Sequence, residues 1–334
     1  MMRIVSHPAL RTAAPQLGAL AIIFLANWLV FPDFFGIRLQ DGRLFGSVID
    51  VFNRGAPVAI LAIGMTLVIA TRGIDLSVGA VMAIAGAIAA VTINNGYSMP
   101  VAVLAALGAG ILCGMWNGIL VAIFDIQPIV ATLILMVAGR GIAQLITEGQ
   151  IVTFVDPALI ALAGGSLFGV PMPVVITIGM LLLTVIVFRA TALGLFVEAI
   201  GINRRSSSYA GVDTRTVVII AYTWCGLAAS VAGLIAAANI KGADANNAGL
   251  WLELDAILAV VIGGTSLFGG RFRLVLSYVG ALIIQAMNTG ILLSGFKPEF
   301  NLIVKAVVII SLLILQSPLP ALLYHRIGAR SARP

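Results

Sequence analysis

Lysine is scarce in this 334-residue sequence, and none of its lysines stands where phosphate chemistry needs one. A loop that cradles nucleotide phosphates reads G-x-x-x-x-G-K-[ST], with the lysine reaching the phosphoryl oxygens. Here Lys241 is followed by glycine, Lys297 by proline and Lys305 by alanine, so no such loop can be built. Histidine occurs only as His7 and His325, near the ends, which leaves no buried imidazole base or ligand between them. Cys113 and Cys225 lie far apart and form neither C-x-x-C nor a zinc spacing. No H-E-x-x-H occurs, and no carboxylate pair has catalytic spacing. The expectation is a chain with no catalytic residue, no metal site and no cofactor of its own.

What remains is amide, hydroxyl and guanidinium. Arg140, Gln144 and Thr147 share one face of a helix, as do Gln285, Asn288 and Thr289. Gly110, Gly114 and Gly118 recur four apart, a small-residue face for close helix packing, with Trp116 and Asn117 beside them. These polar faces could line an aqueous route, since amides suit sugar hydroxyls; they could equally hydrogen-bond helix to helix. A charge at mid-bilayer costs ~3 kcal/mol on insertion scales, so Arg140 should face a partner or a cavity. Lys305 lies close enough to a span end to snorkel to the interface.

The elements that must position these residues are set by composition. The chain is 61% hydrophobic and 10% charged, with mean hydropathy +1.13. Soluble domains carry about 25% charged residues, so the solvent of this surface is lipid. A spanning helix needs roughly 20 mostly apolar residues. Candidates run over 16–31, 56–70, 77–93, 99–124, 128–147, 171–188, 216–240, 255–270, 274–293 and 300–316, about ten spans. The eighth, containing "VIGGTSLFGG", is short and glycine-rich and is expected to be bent or only partly spanning. Pro57, Pro100, Pro128 and Pro171 would open their helices, where a missing N–H costs nothing. The first run lacks a small-residue cleavage site and is read as a retained span. The fold class is therefore all-α and polytopic, one transmembrane domain over 1–334.

Orientation follows from the basic residues. With both termini cytoplasmic, the inner side holds Arg3, Arg11, Arg72, Arg189, Arg204, Arg205, Arg215, Arg271, Arg273, Arg326, Arg330 and Arg333. The outer side holds only Arg38, Arg43, Arg54, Lys241 and Lys297. That is the positive-inside bias, and it explains the net charge of +6 without nucleic acid. The 241–254 stretch is then an outer loop. A faint echo, "AILA" at 59–62 and 256–259 with "VGA" at 78–80 and 279–281, leaves an internal duplication open.

Two polar stretches face the cytoplasm in this topology. "RGIDLSVGA" fits a turn in which Asp75 or Ser77 caps the third helix, or touches a cytoplasmic partner. The larger island lies at about 189–215, with "GLFVEAIGINRRSSSYAGVDTRTVV" at its heart. Leu195, Ala199 and Ile202 recur there at helical spacing, with Phe196 and Ile200 beside them. Such a short amphipathic helix either lies on the membrane surface or docks in a groove on a soluble partner.

"TALGLFVEAIGINRRSSSYAGV" resembles the cytoplasmic loop of ribose-type ABC sugar importer permeases, whose pattern is T-x-x-G-x-x-x-x-A-[IV]-G-x-N, a small-residue pair, then A-G-[IV]. "GIDLSVGA" and "IGGTSLFGG" resemble two more stretches of that family, and the likeness runs from about Ile49 to Leu315. Among its subfamilies, "LQDGRLFGS", "KGADANNAGLWLELDAILAVVIGG" and "MNTGILLSGF" are most similar to galactofuranose importer permeases. The resemblance implies a bacterial inner-membrane subunit of an ABC monosaccharide importer. Its partners would be an ATPase that carries ATP and Mg, a second permease (related or identical) and a periplasmic sugar-binding protein. It implies that the loop couples ATP-driven closure of the ATPase to the pathway. Gly194, Glu198, Ala199, Ile200, Gly201, Asn203 and Gly211 are the coupling residues carried over; Ser206 and Ser207 replace the usual alanine pair. The rival reading, an ion-coupled secondary sugar carrier, would call for carboxylates inside the spans, and the sequence places none clearly there.

Overall fold

A computed structural model describes residues 8–40 and 42–295, together with 300, 302–307 and 310. The apolar runs become helices: α1 (Pro8–Val30), α2 (Ser47–Ala70), α3 (Val78–Asn94), α4 (Met99–Ala122), α5 (Pro128–Ile146) and α6 (Pro157–Gly164). There follow α7 (Met172–Arg189), α8 (Ala192–Ile202), α9 (Arg204–Tyr209), α10 (Thr214–Ile240), α11 (Leu252–Ile262) and α12 (Leu274–Leu293). Among the described residues, seven helices are long and apolar enough to cross a membrane: α1, α2, α4, α5, α7, α10 and α12. The chain is an all-α, multi-pass membrane protein, and the described residues hold only two- and three-residue strand pairs in their loops.

The third expected span, 77–93, is found nearly as read, while the eighth and tenth differ or fall outside the described residues. The third is a 17-residue helix, and the eighth shrinks to the 11 residues of α11, with 263–273 non-helical. At ~1.5 Å per residue an 11-residue helix reaches about 16 Å, half of a bilayer core. Most of the tenth, 300–316, lies outside the described residues, as do His7, Arg3, Lys297 and the C-terminal arginines. The prolines also divide. Pro100 and Pro128 sit in the first turns of α4 and α5, but Pro171 is the N-cap of α7 and Pro57 stands inside α2. The helix begins at Ser47 because "SVIDVFNRGA" continues the apolar stripe that the polar Asn53 and Arg54 mask in a hydropathy reading.

Helix ends follow local chemistry. Asp156 accepts the Leu159 N–H at 2.7 Å to start α6, and Asp213 accepts the N–H groups of Arg215 and Thr216, both at 3.2 Å, to start α10. Lys241 ends α10 in the left-handed region, φ +54°.

Packing groups the chain into two compact units, Met1–Ala286 and Met287–Pro334. In the first, α2 and α10 are mostly buried, whereas α4, α5 and α7 turn most of their surface outward. Small residues allow this. Gly110 packs on the Gly226 carbonyl and Ser230, Gly114 on Tyr222 and Thr223, and Gly118 on Ile219. The glycine face of α4 therefore lies against α10, and Trp116, on another side, is 53% exposed. Gly64 of α2 meets Cys225 and Ala228 of α10 in the same way.

Candidate functional site

The polar island folds as the short helices α8 and α9. Thr191 starts α8 by accepting the Leu193 N–H at 3.2 Å, and its hydroxyl donates to the Val187 carbonyl. Asn203 ends α8 and starts α9: its side chain accepts the Ser206 N–H at 3.0 Å, and its carbonyl accepts from the Ser207 hydroxyl at 2.9 Å. Ser207 is buried by this bond while Ser206 is exposed, so the two serines are not equivalent. Gly211 turns the chain at φ +87°, where a side chain would meet nothing within 4 Å. In the next turn the Thr216 hydroxyl, donating at 2.5 Å, and the Thr216 N–H hold the Asp213 carboxyl below its usual value.

One face of α8 is spent on the protein's own body. Gly194, Val197, Ile200 and Gly201 are buried. A Cβ at Gly194 would strike the Phe188 carbonyl; one at Gly201 would strike the Ala70 carbonyl and the Gly270 N–H. Arg72 donates to the carbonyls of Gly201 (2.6 Å) and Ile202 (2.7 Å), which are orphan groups at the end of α8. Gly270 donates its N–H to the Ala70 carbonyl at 2.9 Å. Arg72, which immediately precedes the resembling stretch 73–80, thus meets the other two resembling stretches, 191–212 and 262–270, at one point, the C-terminus of α8.

At the other side of α8, Glu198 pairs with Arg189 at 2.9 Å. Arg189 also donates to the Phe272 carbonyl, and its guanidinium lies 4.1 Å from the Phe272 ring centre. Arg204 anchors α9 on the end of α4, through the Ala122 carbonyl (3.2 Å) and Asp125 (3.6 Å). The outward face keeps Leu195 (68% exposed), Ile202 (65%) and Tyr209 (90%), with Phe196 and Ala199 half-buried between them. Beside it Arg204, Arg205, Arg215 and Asp125 line an open groove of about 510 Å³.

The residues expected at the coupling loop are therefore brought together in different roles. Ala199 lies toward the outward apolar face, Glu198 is tied to Arg189, Asn203 is a cap, and Gly194, Ile200 and Gly201 are contact points of the body. Arg72, Arg189 and Gly270 complete the arrangement and were not singled out from sequence. Apart from Glu198, nine residues from Arg189, their partners are distant in the chain, and only the clustering of arginine near the island hinted at them.

Asp75 and Ser77 are 1% and 0% exposed, so neither side chain is available to a cytoplasmic partner. Asp75 Oδ1 accepts from the Ser77 N–H (2.9 Å), the Ser77 hydroxyl (2.6 Å) and Asn117 Nδ2 (3.3 Å). Asp75 thus closes the turn before α3, whereas the Ser77 side chain makes no cap bond. Asn117, which also donates to Ser77 Oγ at 2.9 Å, serves this buried cluster. The expectation that carboxylates are missing from the interior needs correction: Asp75, Glu253 and Asp255 are all buried. They fall in loops or first helical turns, outside the apolar cores that a span search registers.

Arg140 donates to the carbonyls of Ala245 (3.0 Å) and Ala248 (2.7 Å), and Gln144 Nε2 to Asn246 Oδ1 (2.8 Å). That polar face holds the 242–251 segment, while Thr147 bonds its own helix. Asp244 orders the same segment, accepting from the N–H groups of Asn246 (3.0 Å) and Asn247 (3.1 Å) and from Asn247 Nδ2 (2.8 Å). Gln285 packs its Cβ and Cγ where a Cβ on Gly55 would stand, at 3.1 and 3.2 Å. Asn288 has a buried side-chain oxygen without a hydrogen bond, and Thr289 is buried. Lys305 is described within the helical residues 302–307.

Residues 47–313 match the family model described as branched-chain amino acid transport system / permease component. The chain is similar to the galactofuranose transporter permease protein YtfT of Escherichia coli (strain K12), with 65% identity over 92% of this chain and 90% of the relative. It is 41% identical to the fructose import permease protein FruF of Bifidobacterium longum over 84% of this chain and 80% of that one. It is 39% identical to the ribose import permease protein RbsC of Escherichia coli (strain K12), over 87% and 89%. No solved structure matches.

Proposed function

The chain belongs to the branched-chain amino acid transport system / permease component family, and from that premise we propose that it is the membrane subunit of an ATP-driven importer of a galactofuranose-like monosaccharide. The observation that carries this reading is the 65% identity, over nearly the whole of both chains, to a galactofuranose transporter permease. The more distant relatives are fructose and ribose import permeases, so sugar is the common cargo among them. All three are named permeases, in keeping with a chain that moves substrate while another subunit hydrolyses ATP.

In this reading the subunit sits in the bacterial inner membrane with both termini cytoplasmic. Ten crossings follow if α3, the 242–273 stretch and a helix after Lys297 each complete one. A second permease, the same chain or a related one, forms the other half of the pathway. A periplasmic binding protein delivers sugar to the outer loops. The ATPase takes the outward face of α8, around Leu195, Ala199 and Ile202; what supports this is an exposed apolar face on a helix whose other face is anchored to the body. The test is to purify the native complex in mild detergent, identify its subunits, and measure ATP-dependent uptake of galactofuranose by proteoliposomes. Recovery without an ATPase, or uptake driven by an ion gradient, would overturn the reading.

A further inference from the structure

Between α10 and α11 the chain is non-helical from Gly242 to Trp251 apart from a two-residue strand. Its outer end is pinned, because Gly242 and Ala243 pair with Thr153 and Val152. Its inner end is buried: Gly249, at φ +72°, backs onto Gly79, and a Cβ on either would strike the other's carbonyl. Gly79 lies one turn before Met82 in α3, and the Met82 backbone packs on Gly233 of α10. Gly233 is itself roughly 10 Å short of the outer end of α10 at ~1.5 Å per residue. So this stretch, expected as an outer loop, descends into the protein. Unwound backbone at such depth persists in a membrane protein only where protein buries it or where it borders a water-filled cavity.

It does border one. A cavity of about 230 Å³ lies among α2, α3, α7, α10 and the start of α11, lined by Asn53, Arg54, Pro57, Met82, Asn239 and Gly249 among others. Asn53 of α2 lines it. The Asn53 side-chain oxygen has no hydrogen-bond partner and is covered in the structure, so the amide must turn to present that atom to the cavity. Pro57 stands four residues further on inside the helix and has no N–H to give the Asn53 carbonyl. Arg54 and Asn239, both exposed, supply donors at the same cavity.

We propose that this cavity is a sugar-hydroxyl site on the outer part of the translocation route, with Asn53 accepting and Arg54 and Asn239 donating. Each ring hydroxyl both donates and accepts, so a neutral polyol satisfies such a set without bringing a charge. The volume falls below the ~300 Å³ at which drug-sized sites begin, which suits a single sugar ring and not an oligosaccharide. The assignment rests on the sugar-importer reading and deepens it by naming the residues that meet the cargo. Arg140 then acts at a distance from the sugar, because its bonds to Ala245 and Ala248 keep the unwound wall of the cavity in place.

The test uses the whole complex in proteoliposomes. Asn53→Leu and Asn239→Leu should each cut galactofuranose uptake up to about tenfold, the value of one neutral hydrogen bond. Uptake at the parent level in both assembled variants overturns the proposal. Should either variant fail to assemble, Asn239→Cys decides the matter. Its thiol should react with a small, charged methanethiosulfonate, and galactofuranose with the binding protein and ATP should protect it. An assembled Asn239→Cys complex that resists the reagent, or reacts equally with and without sugar, also overturns it. If the parent complex moves no galactofuranose, the functional reading fails; reaction of Asn239→Cys without sugar still reports a water-filled cavity.

Discussion

Gly201→Ala is the smallest perturbation that tests whether the end of α8 must touch the body of the protein. The added methyl would occupy the space of the Ala70 carbonyl and the Gly270 N–H, with the Gly270 Cα only 3.0 Å away. All of these are backbone atoms, so no side chain can swing aside. Forcing a methyl into a filled site costs about 1–3 kcal/mol. If α8 lifts, Arg72 also loses its bonds to the Gly201 and Ile202 carbonyls, worth ~1 kcal/mol at this exposed position. A total near 3 kcal/mol is about a hundredfold in the equilibrium between docked and lifted helix. Hydrogen exchange on the reconstituted complex should show α8 amides exchanging about that much faster, and sugar moved per ATP hydrolysed should fall. Gly179→Ala in α7 is the control, because its methyl would meet nothing within 4 Å. Parent-like exchange and an unchanged sugar-to-ATP ratio in assembled Gly201→Ala would refute the argument.

Ala199→Arg should leave membrane insertion intact but lower uptake. At a buried ATPase contact an unpaired charge costs several kcal/mol, and even ~3 kcal/mol weakens binding about a hundredfold; full uptake with normal ATPase recovery would show that α8 merely lies on the surface. Arg140→Leu strands the carbonyls of Ala245 and Ala248, so a loss of about 2–3 kcal/mol is expected, read as a lower melting temperature and less assembled complex. An unchanged melting temperature would mean that Arg140 holds nothing. Asp213 is held below its usual value in the folded protein. Its contribution to the start of α10 is therefore present above the unfolded pKa of about 3.9 and is lost as pH falls through the lower folded value. Asp213→Asn should show a smaller acid destabilisation in hydrogen exchange of residues 213–217 than the parent, and equal curves would contradict the assignment.

Much of this architecture is legible in the sequence because lipid imposes a simple length rule. The runs at 99–124, 128–147 and 216–240 became α4, α5 and α10 with ends close to those expected. The island was legible too, since Leu195, Ala199 and Ile202 repeat at helical spacing. Partners were not. Nothing local says that Arg72 reaches Gly201 and Ile202, or that Arg140 bonds the carbonyls of Ala245 and Ala248. Asn117 shows the same limit, since an amide beside a glycine stripe reads alike whether it lines a path or bonds Asp75. For the 241–254 stretch polarity signals a loop but not what holds it, and the bonds from Arg140 and Gln144 to Ala245, Ala248 and Asn246 are not written in its own residues. Pro57 misled because a proline inside a helix is tolerated where the carbonyl it frees has other uses.

The glycine junction at the end of α8 has a mechanical consequence. Where side chains separate two elements, rotamer changes absorb part of any displacement. At Gly201, Ala70 and Gly270 backbone rests on backbone, with almost no compliance between them. A push on the outer face of α8 therefore reaches the end of α2 and the turn ahead of α12 together, with little slack. Such a push would be shared at that point between the end of α2 and the 263–273 turn, not absorbed by the joint.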